Sequence, residues 1–399
     1  MAPISRSITA IKVETFSSEA HRYMARALRL ARRGLYTTEP NPRVGCVLVR
    51  DGQVVGEGYH QRAGGPHAER VALAAAGEQA RGATAYVTLE PCCHTGRTPP
   101  CSEALIAAGV AQVVCAMTDP NPLVAGKGLA QLRRAGLLCH AGLLAEQARA
   151  LNPGFIQRME RGRPFVRCKL AMSLDGRTAL ASGESKWITG EAARRDVHRL
   201  RARSSAILTG SGTLLADDPS LDVRLPPAAL GLAAEAELPR PLRVVLDTTL
   251  RTPPSARLLT LPGRTLLLTR QPATTPQAEI LRRHGAEVVT LPANAEGRLD
   301  LPAVLHHLAS EQVNELLLEC GPTLAGAALQ AGVVDELILY VAPHLLGSDG
   351  RGLLHLPGLT SMTQRIALEW RDLRRVGEDL RICCGVRATL SSTGDVAIE

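Results

Sequence analysis

Residues 66 to 70 read PHAER, and residues 90 to 101 read EPCCHTGRTPPC. They supply an imidazole (His67), a carboxylate (Glu69) and three thiols (Cys92, Cys93 and Cys101). That donor set suits zinc. A catalytic zinc keeps three protein ligands and leaves its fourth position to water. It draws the pKa of that water down towards about 7, so a nucleophile exists at neutral pH. Displacing an amino group from an aromatic carbon also needs a group that takes the water proton and hands it to the departing ammonia. Glu69, two residues past His67 at the same helix start, has the chemistry and the reach. A lone His-x-Glu is chance more often than chemistry, and paired cysteines at a turn are more often buried thiols. Their combination, in the order strand, helix, strand, cysteine-rich loop, helix, is far harder to obtain by accident.

His-x-Glu followed by Pro-Cys and a second Cys is the pattern of zinc-dependent base deaminases, whose usual thiol spacing is Pro-Cys-x-x-Cys. Here no cysteine stands three residues after Cys92. Cys93 and Cys101 compete for the second thiolate. Neighbouring residues at a strand end point to opposite sides, which argues against Cys92 and Cys93 sharing one ion. Cys101 opens a helix behind Pro99 and Pro100, where the helix N-terminus favours a thiolate. The expected ligands are therefore His67, Cys92 and Cys101, with Glu69 as proton carrier and HTGRTPP as an insertion between the thiols. Cys93 is expected to be structural. His94 and Arg97 fall at the pocket mouth as candidates for touching substrate.

These groups need elements to hold them. Ser17 and Ser18 can cap a helix over residues 19–33. NPRVGCVLVRDGQVVGEGYH, residues 41–60, reads as two strands around an Asp51-Gly52 turn. Helices over 68–77, 102–109 and 126–135 then alternate with strands over 83–90, 110–119 and 137–141. Around residues 151–164 the pattern breaks into a polar stretch with Gly and Pro, and the domain boundary is placed near 150–164. The expected division is an N-terminal extension (1–17), a first domain (18–162) and a second domain (163–390). The second half restarts with a strand over 165–176, a helix over 190–204 and strands over 206–213, 242–250 and 264–270. Residues 314–332 read as strand, glycine turn and helix, and 333–347 as a further strand. Residues 228–236 read as a surface loop. Alternating strands and helices predict α/β domains with mixed or parallel sheets.

Two glycine turns of the second half, TGSGT (209–213) and ECGPTLAGA (319–327), follow strands. Free N–H groups at such turns suit a phosphate, although neither matches GxGxxG. Arg194, Arg195, Arg199, Arg201 and Arg203 crowd one helix, mostly as a solvated face.

Length points to two domains, since 399 residues exceed one ordinary core. The net charge of +8 favours an anionic partner. With aromatics at 3%, a base-stacking platform is lacking, so a phosphorylated small molecule is expected and nucleic acid is not. The ten cysteines are scattered, unlike a disulfide framework. No apolar run approaches a membrane span and the start lacks a signal peptide, so a cytoplasmic protein with reduced thiols is expected. Apolar β-rich stretches of the second half favour a homodimer through that domain.

Several motifs carry a more specific resemblance: NPRVGCVLV, HAER, TLEPCCHTGRTPPC, KLAMSLDGRTAL, SGESKWITG, GTLLADDPSLDVR, ECGPTLAGAALQ and VAPHLLG. From about residue 18 to 388 the chain resembles the bifunctional deaminase–reductases of riboflavin biosynthesis. The resemblance implies a cytidine-deaminase-like N-terminal domain that deaminates 2,5-diamino-6-(5-phosphoribosylamino)pyrimidin-4(3H)-one. It implies a dihydrofolate-reductase-like C-terminal domain that uses NADPH to reduce the ribosyl side chain to ribityl. Carried over by position, zinc falls on His67, Cys92 and Cys101 and the proton shuttle on Glu69. NADPH contacts fall on Ala171, Trp187, Thr213, Asp217, Thr248 and the turn Gly321, Pro322, Thr323, Leu324, Ala325, Gly326 and Ala327. Substrate contacts fall on Asn41, Ser185, Arg201, Leu221, Arg224 and Glu319, with Lys169 near the reacting sugar.

Overall fold

The computed structural model describes residues 16–94 and 99–387. The chain divides into two compact units, one of residues 1–34 and 43–151, the other of residues 35–42 and 152–399.

The first unit runs α1 (Ser18–Arg32), β1 (Gly45–Arg50), β2 (Gln53–Tyr59), α2 (Ala68–Ala76), β3 (Thr84–Val87), α3 (Cys101–Ala107), β4 (Gln112–Cys115), α4 (Lys127–Arg134), β5 (Leu138–Ala141) and α5 (Ala145–Leu151). Ser17 caps α1, its side chain accepting from the N–H of Ala20 at 3.1 Å. Asp51 and Gly52, both at positive φ, turn β1 into β2 as the Asp-Gly signal predicts. The sheet order is β2-β1-β3-β4-β5, with β1 antiparallel to both its neighbours and the rest parallel. Its core joins Cys46, Leu48, Ala85, Val87, Val113 and Cys115 to Ala68, Ala72, Leu105, Leu129 and Leu132 of three helices. A Cβ on Gly58 would stand 2.7 Å from the Ala68 carbonyl, so α2, which carries the expected proton shuttle, lies directly on β2.

The second unit runs α6 (Pro153–Arg161), β6 (Phe165–Ser173), β7 (Arg177–Ala179), α7 (Glu191–Arg203), β8 (Ala206–Gly210), α8 (Ser211–Asp217), β9 (Leu242–Leu246), α9 (Arg257–Thr260), β10 (Thr265–Thr269), α10 (Pro276–Arg283), β11 (Ala286–Thr290), α11 (Leu301–Ser310), β12 (Glu315–Glu319), α12 (Pro322–Gln330), β13 (Glu336–Ala342), β14 (Arg351–Gly352), β15 (Leu368–Val376) and β16 (Asp379–Val386). Nine strands form one sheet in the order β11-β10-β9-β8-β12-β6-β13-β16-β15, parallel except at β16 and β15. Alternate residues of the parallel strands face opposite cores. Leu208, Val244, Leu266 and Leu318 pack with Val304, Leu308, Ala325 and Ala328 on one side. Ile207, Val245, Leu267 and Leu317 pack with Ala193, Val197, Ala278 and Leu281 on the other. Burial on both faces explains the continuous apolar runs of these strands.

Three sequence readings need correction. The stretch read as a break in the pattern carries a helix: Pro153 opens α6 and Gly162, at φ 65°, closes it. Pro at a helix start and Gly just past its end are helix punctuation, here misread as breakers. The chain divides at 151/152 rather than 162/163, because Arg158 Nε donates to Asn314 Oδ1 at 2.6 Å and Gln157 Nε2 to Asp335 Oδ2 at 2.7 Å. Glu39 shows why residues 35–42 belong to the second unit as well: its carboxylate accepts from Ser205 Oγ at 2.9 Å and Asn314 Nδ2 at 2.8 Å. The turn after β8 is the start of a helix, α8, from Ser211. The loop read over 228–236 is pinned at one end by Leu230, buried against Ala202 and Leu225. Among the described residues, no helix is long and apolar enough to cross a membrane.

Candidate active sites

In the first unit, three elements converge. His67 is the N-cap residue of α2, Cys101 is the first residue of α3, and Cys92 lies on irregular backbone past the end of β3. Their ligand atoms all lie within 4.8 Å of one another. His67 Nδ1 stands 3.6 Å from Cys92 Sγ and 3.3 Å from Cys101 Sγ. A tetrahedral zinc with ordinary bond lengths spaces nitrogen and sulfur by about 3.6 Å, so the three residues fit the ion. Among the described residues, no other cluster of this kind occurs.

Glu69, 3% exposed, sits in the first turn of α2 and contacts the Cys101 thiol. Burial, helped by the Cys92 thiolate, pushes its carboxyl up to about 7, where a carboxyl can both take and give a proton near neutral pH. A hydrogen bond from Cys101 holds Cys92 down to about 4, and Cys101 is pushed well up in turn. The opening of α3 also serves Cys92: the Cys101 N–H donates to Cys92 Sγ at 3.4 Å.

Cys93 stands outside the cluster, with its thiol 4.0 Å from the Leu123 carbonyl. The strand argument for separating it from Cys92 does not apply, since neither residue is in a strand. His94 is exposed. Arg97 lies outside the described residues. Asn41 belongs to the segment that packs on the second unit. Sequence reading missed three supports. Ser102 Oγ donates to the Cys92 carbonyl at 3.0 Å. The buried His60 ring meets the His67 ring edge-on at 5.3 Å and bonds the Pro66 carbonyl. Glu90 binds three backbone N–H groups of the α4 region. The leading Glu of EPCC was the one available signal for the last.

In the second unit a cleft of ≈ 1720 Å³ opens at the C-terminal ends of β6, β8, β9 and β12. Strands after β8 run outward in one direction, whereas β12 returns between β8 and β6 and β13 lies beyond β6. Such a switch point is where open parallel sheets bind ligands. The α8 and α12 starts face each other there, a Cβ on Gly321 standing 3.8 Å from Thr213 Oγ1. Of the expected cofactor contacts, Ala171, Trp187, Thr213, Asp217, Thr248, Gly321, Pro322, Thr323, Leu324 and Ala327 line the cleft. Ala325 and Gly326 do not. Ala325 is in the core, and a Cβ on Gly326 would stand 1.9 Å from the His355 carbonyl. Helical rotation within α12 turns these two away.

All the expected substrate contacts of this unit, Lys169, Ser185, Arg201, Leu221, Arg224 and Glu319, line the same cleft. Arg201 is engaged already: Nε and Nη2 donate to the two oxygens of Glu319 at 2.7 and 2.9 Å, and Nη1 to the Asp222 carbonyl at 3.1 Å. Against burial, Arg201 and Lys169 hold the Glu319 carboxyl below its ordinary range. Burial pulls the Lys169 amine down, and its Nζ lies 5.8 Å from the centre of the Tyr340 ring. Arg224 remains exposed, with Nε 3.2 Å from Asp222 Oδ1. The Trp187 ring carries the Arg194 guanidinium at 4.6 Å.

Comparison with known proteins finds a family match over each unit. Residues 17–117 match the cytidine and deoxycytidylate deaminase zinc-binding region, and residues 164–382 match the RibD C-terminal domain. The riboflavin biosynthesis protein RibD of Escherichia coli K12 is 54% identical over 361 residues, 90% of this chain and 97% of that protein. This chain belongs to the RibD family. A structure of Acinetobacter baumannii RibD superposes with a TM-score of 0.84 at 44% identity, covering 92% of this chain and 99% of that one. The Thermotoga maritima deaminase/reductase superposes with a TM-score of 0.79 at 31% identity over the same share of this chain. As a RibD-family protein, the chain is a bifunctional deaminase and reductase of riboflavin biosynthesis, with a zinc-binding deaminase domain and a reductase domain of a nicotinamide-using family.

Proposed function

We propose that the first unit hydrolytically deaminates 2,5-diamino-6-(5-phosphoribosylamino)pyrimidin-4(3H)-one and that the second reduces the ribosyl chain of the product. The final product is then 5-amino-6-(5-phosphoribitylamino)uracil. The observation that carries the first step is the buried Glu69 carboxylate beside a ligand triad of zinc spacing. His67 Nδ1, Cys92 Sγ and Cys101 Sγ would hold the ion. Bound zinc supplies a cation that makes a water nucleophilic near neutral pH. Glu69 takes the proton that this water loses and passes it to the ring amino group, which departs as ammonia while a carbon–oxygen bond forms. His94 is assigned to touch the substrate of this step.

In the second unit NADPH supplies the hydride when bound, and the protein supplies orientation and charge. The facing starts of α8 and α12, with Trp187 and Thr248, are suited to hold the cofactor. Arg224, exposed at the cleft and paired with Asp222, is the guanidinium assigned to the substrate phosphate. Arg201 is locked by Glu319 and shapes the cleft floor, with Lys169 beside them. The chain is proposed to form a homodimer through this unit. Its outermost strand, β15, leaves Leu368, Trp370 and Leu373 exposed along an unpaired edge, a surface that proteins usually cover.

The test is turnover by the purified protein. Ammonia release from the diaminopyrimidine ribotide, followed by NADPH oxidation in equal amount, is the expected result. Ammonia release without any NADPH or NADH oxidation would reject the second half of the reading. Sedimentation of Trp370→Lys tests the dimer: a shift from two copies to one is expected, and an unchanged species rejects the β15 interface.

A further inference from the structure

The mechanism leaves unused a buried carboxylate two residues before a zinc ligand. Glu90 is 3% exposed. One oxygen accepts from the N–H groups of Asp119 at 3.1 Å and Gly126 at 2.9 Å, the other from Leu129 at 3.0 Å. Gly126 is the N-cap residue of α4 and brings no side chain to cap it. Glu90 therefore caps α4 from another element, and the aligned N–H groups stabilise a charge that would otherwise be costly to bury.

The cap reaches the metal site through the chain. Pro91 follows Glu90, and its carbonyl lies so close to α4 that a Cβ on Gly128 would stand 2.0 Å from it and 3.2 Å from Glu90 Oε1. Cys92 comes next, past the end of β3, with no strand ladder to fix it. Its carbonyl is tied to α3 by the N–H and Oγ of Ser102 at 3.1 and 3.0 Å. The approach from the other side is set where Glu90 and Pro91 are clasped against α4. We propose that Glu90 is a positioning residue for the metal: by capping α4 it locks Pro91 and so holds Cys92 Sγ at ligand distance from His67 Nδ1. The proposal rests on reading His67, Cys92 and Cys101 as a zinc site.

The test compares zinc release from full-length, zinc-loaded protein to a chromogenic chelator in the wild type, Glu90→Gln, Gly128→Ala and Leu132→Ala. The sulfur-to-cobalt absorption band of each cobalt-loaded form is recorded in parallel. A glutamine cannot accept from all three N–H groups, because its amide nitrogen would face donors with a donor. Glu90→Gln is expected to release zinc about tenfold faster or more, the scale of loss when the groups that orient a ligand are removed. Its cobalt band is expected to shift. Gly128→Ala keeps Glu90 but pushes Pro91 away, and is expected to do the same. It carries the test alone if Glu90→Gln yields no folded protein. Leu132→Ala makes a cavity in the same helix and is expected to lower thermal stability without changing release in the cold. Wild-type release and an unshifted band in Glu90→Gln and Gly128→Ala would overturn the proposal. Equal acceleration in Leu132→Ala would overturn it too, as general loosening. A wild-type protein that holds no zinc would overturn the zinc reading itself.

Discussion

The two sites differ in how they are enclosed. In the first unit Glu69 and Cys101 are buried, and the reacting groups come from one helix start, one loop and a second helix start within 35 residues of sequence, from His67 to Cys101. In the second, a cleft of ≈ 1720 Å³ is lined from Lys169 to Pro357 by groups at the ends of parallel strands and on the loops and helices around them. The contrast follows from the chemistry required. Activating a water needs few groups at fixed spacing in a dry pocket. Placing a dinucleotide against a sugar phosphate needs area, charge and room. A small rigid site is sensitive to single atoms, whereas a broad cleft shares its binding over many contacts.

That contrast can be broken in order of expected effect. Glu69→Gln should cost deamination about 10²–10⁴-fold, with zinc content and NADPH oxidation on the deaminated substrate unchanged. Metal analysis and the two separate assays check it. Deamination at wild-type rate with zinc retained would remove Glu69 from the mechanism. Cys101→Ser should lose most of the zinc on dialysis while Cys93→Ser retains it, as elemental analysis would show. The reverse would exchange their roles.

In the cleft, Glu319→Gln leaves Arg201, whose side chain is 12% exposed, without its carboxylate. Breaking a buried pair from one side costs on the order of 3 kcal/mol. The expected result is a lowered unfolding midpoint for the second unit and loss of reductase turnover, with deamination intact. Unchanged reductase kinetics would show that the Arg201–Glu319 pair does not shape the site.

The smallest effect concerns pH. Burial pushes Asp119 up to about 7. Its folded-state value lies above the unfolded one of about 3.9, so its contribution to stability is present at low pH and is lost as pH rises through about 7. Thermal melts of the wild type should therefore lose stability over that window relative to Asp119→Asn. Parallel curves would show that Asp119 does not titrate there.

What could be read from the sequence follows the same division. The zinc triad was legible because its members are close in the chain and each opens or follows an element with a clear signal. The structure's cluster contains Cys101 and not Cys93, and Cys101 opens α3 as expected, although the strand argument against Cys93 had no strand to rest on. Arg201 and Glu319 were named singly but not as a pair, since the parallel sheet brings them together across 118 residues. Glu90 looked like one more acid beside a motif, because its partners are backbone N–H groups that leave no trace in residue type. The helix α6 was hidden by its own Pro and Gly. The edge strand β15, LEWRDLRRV, is exposed along most of its length and so lacks the alternation that marks a half-buried strand.

One chain is proposed to hold two sites acting in series. The direct measurement is NADPH oxidation on two substrates, the diaminopyrimidine ribotide and its deaminated product, before and after zinc is removed with a chelator. The account predicts that zinc removal abolishes oxidation with the first substrate and leaves it unchanged with the second. Equal loss with both, or equal persistence with both, would contradict it.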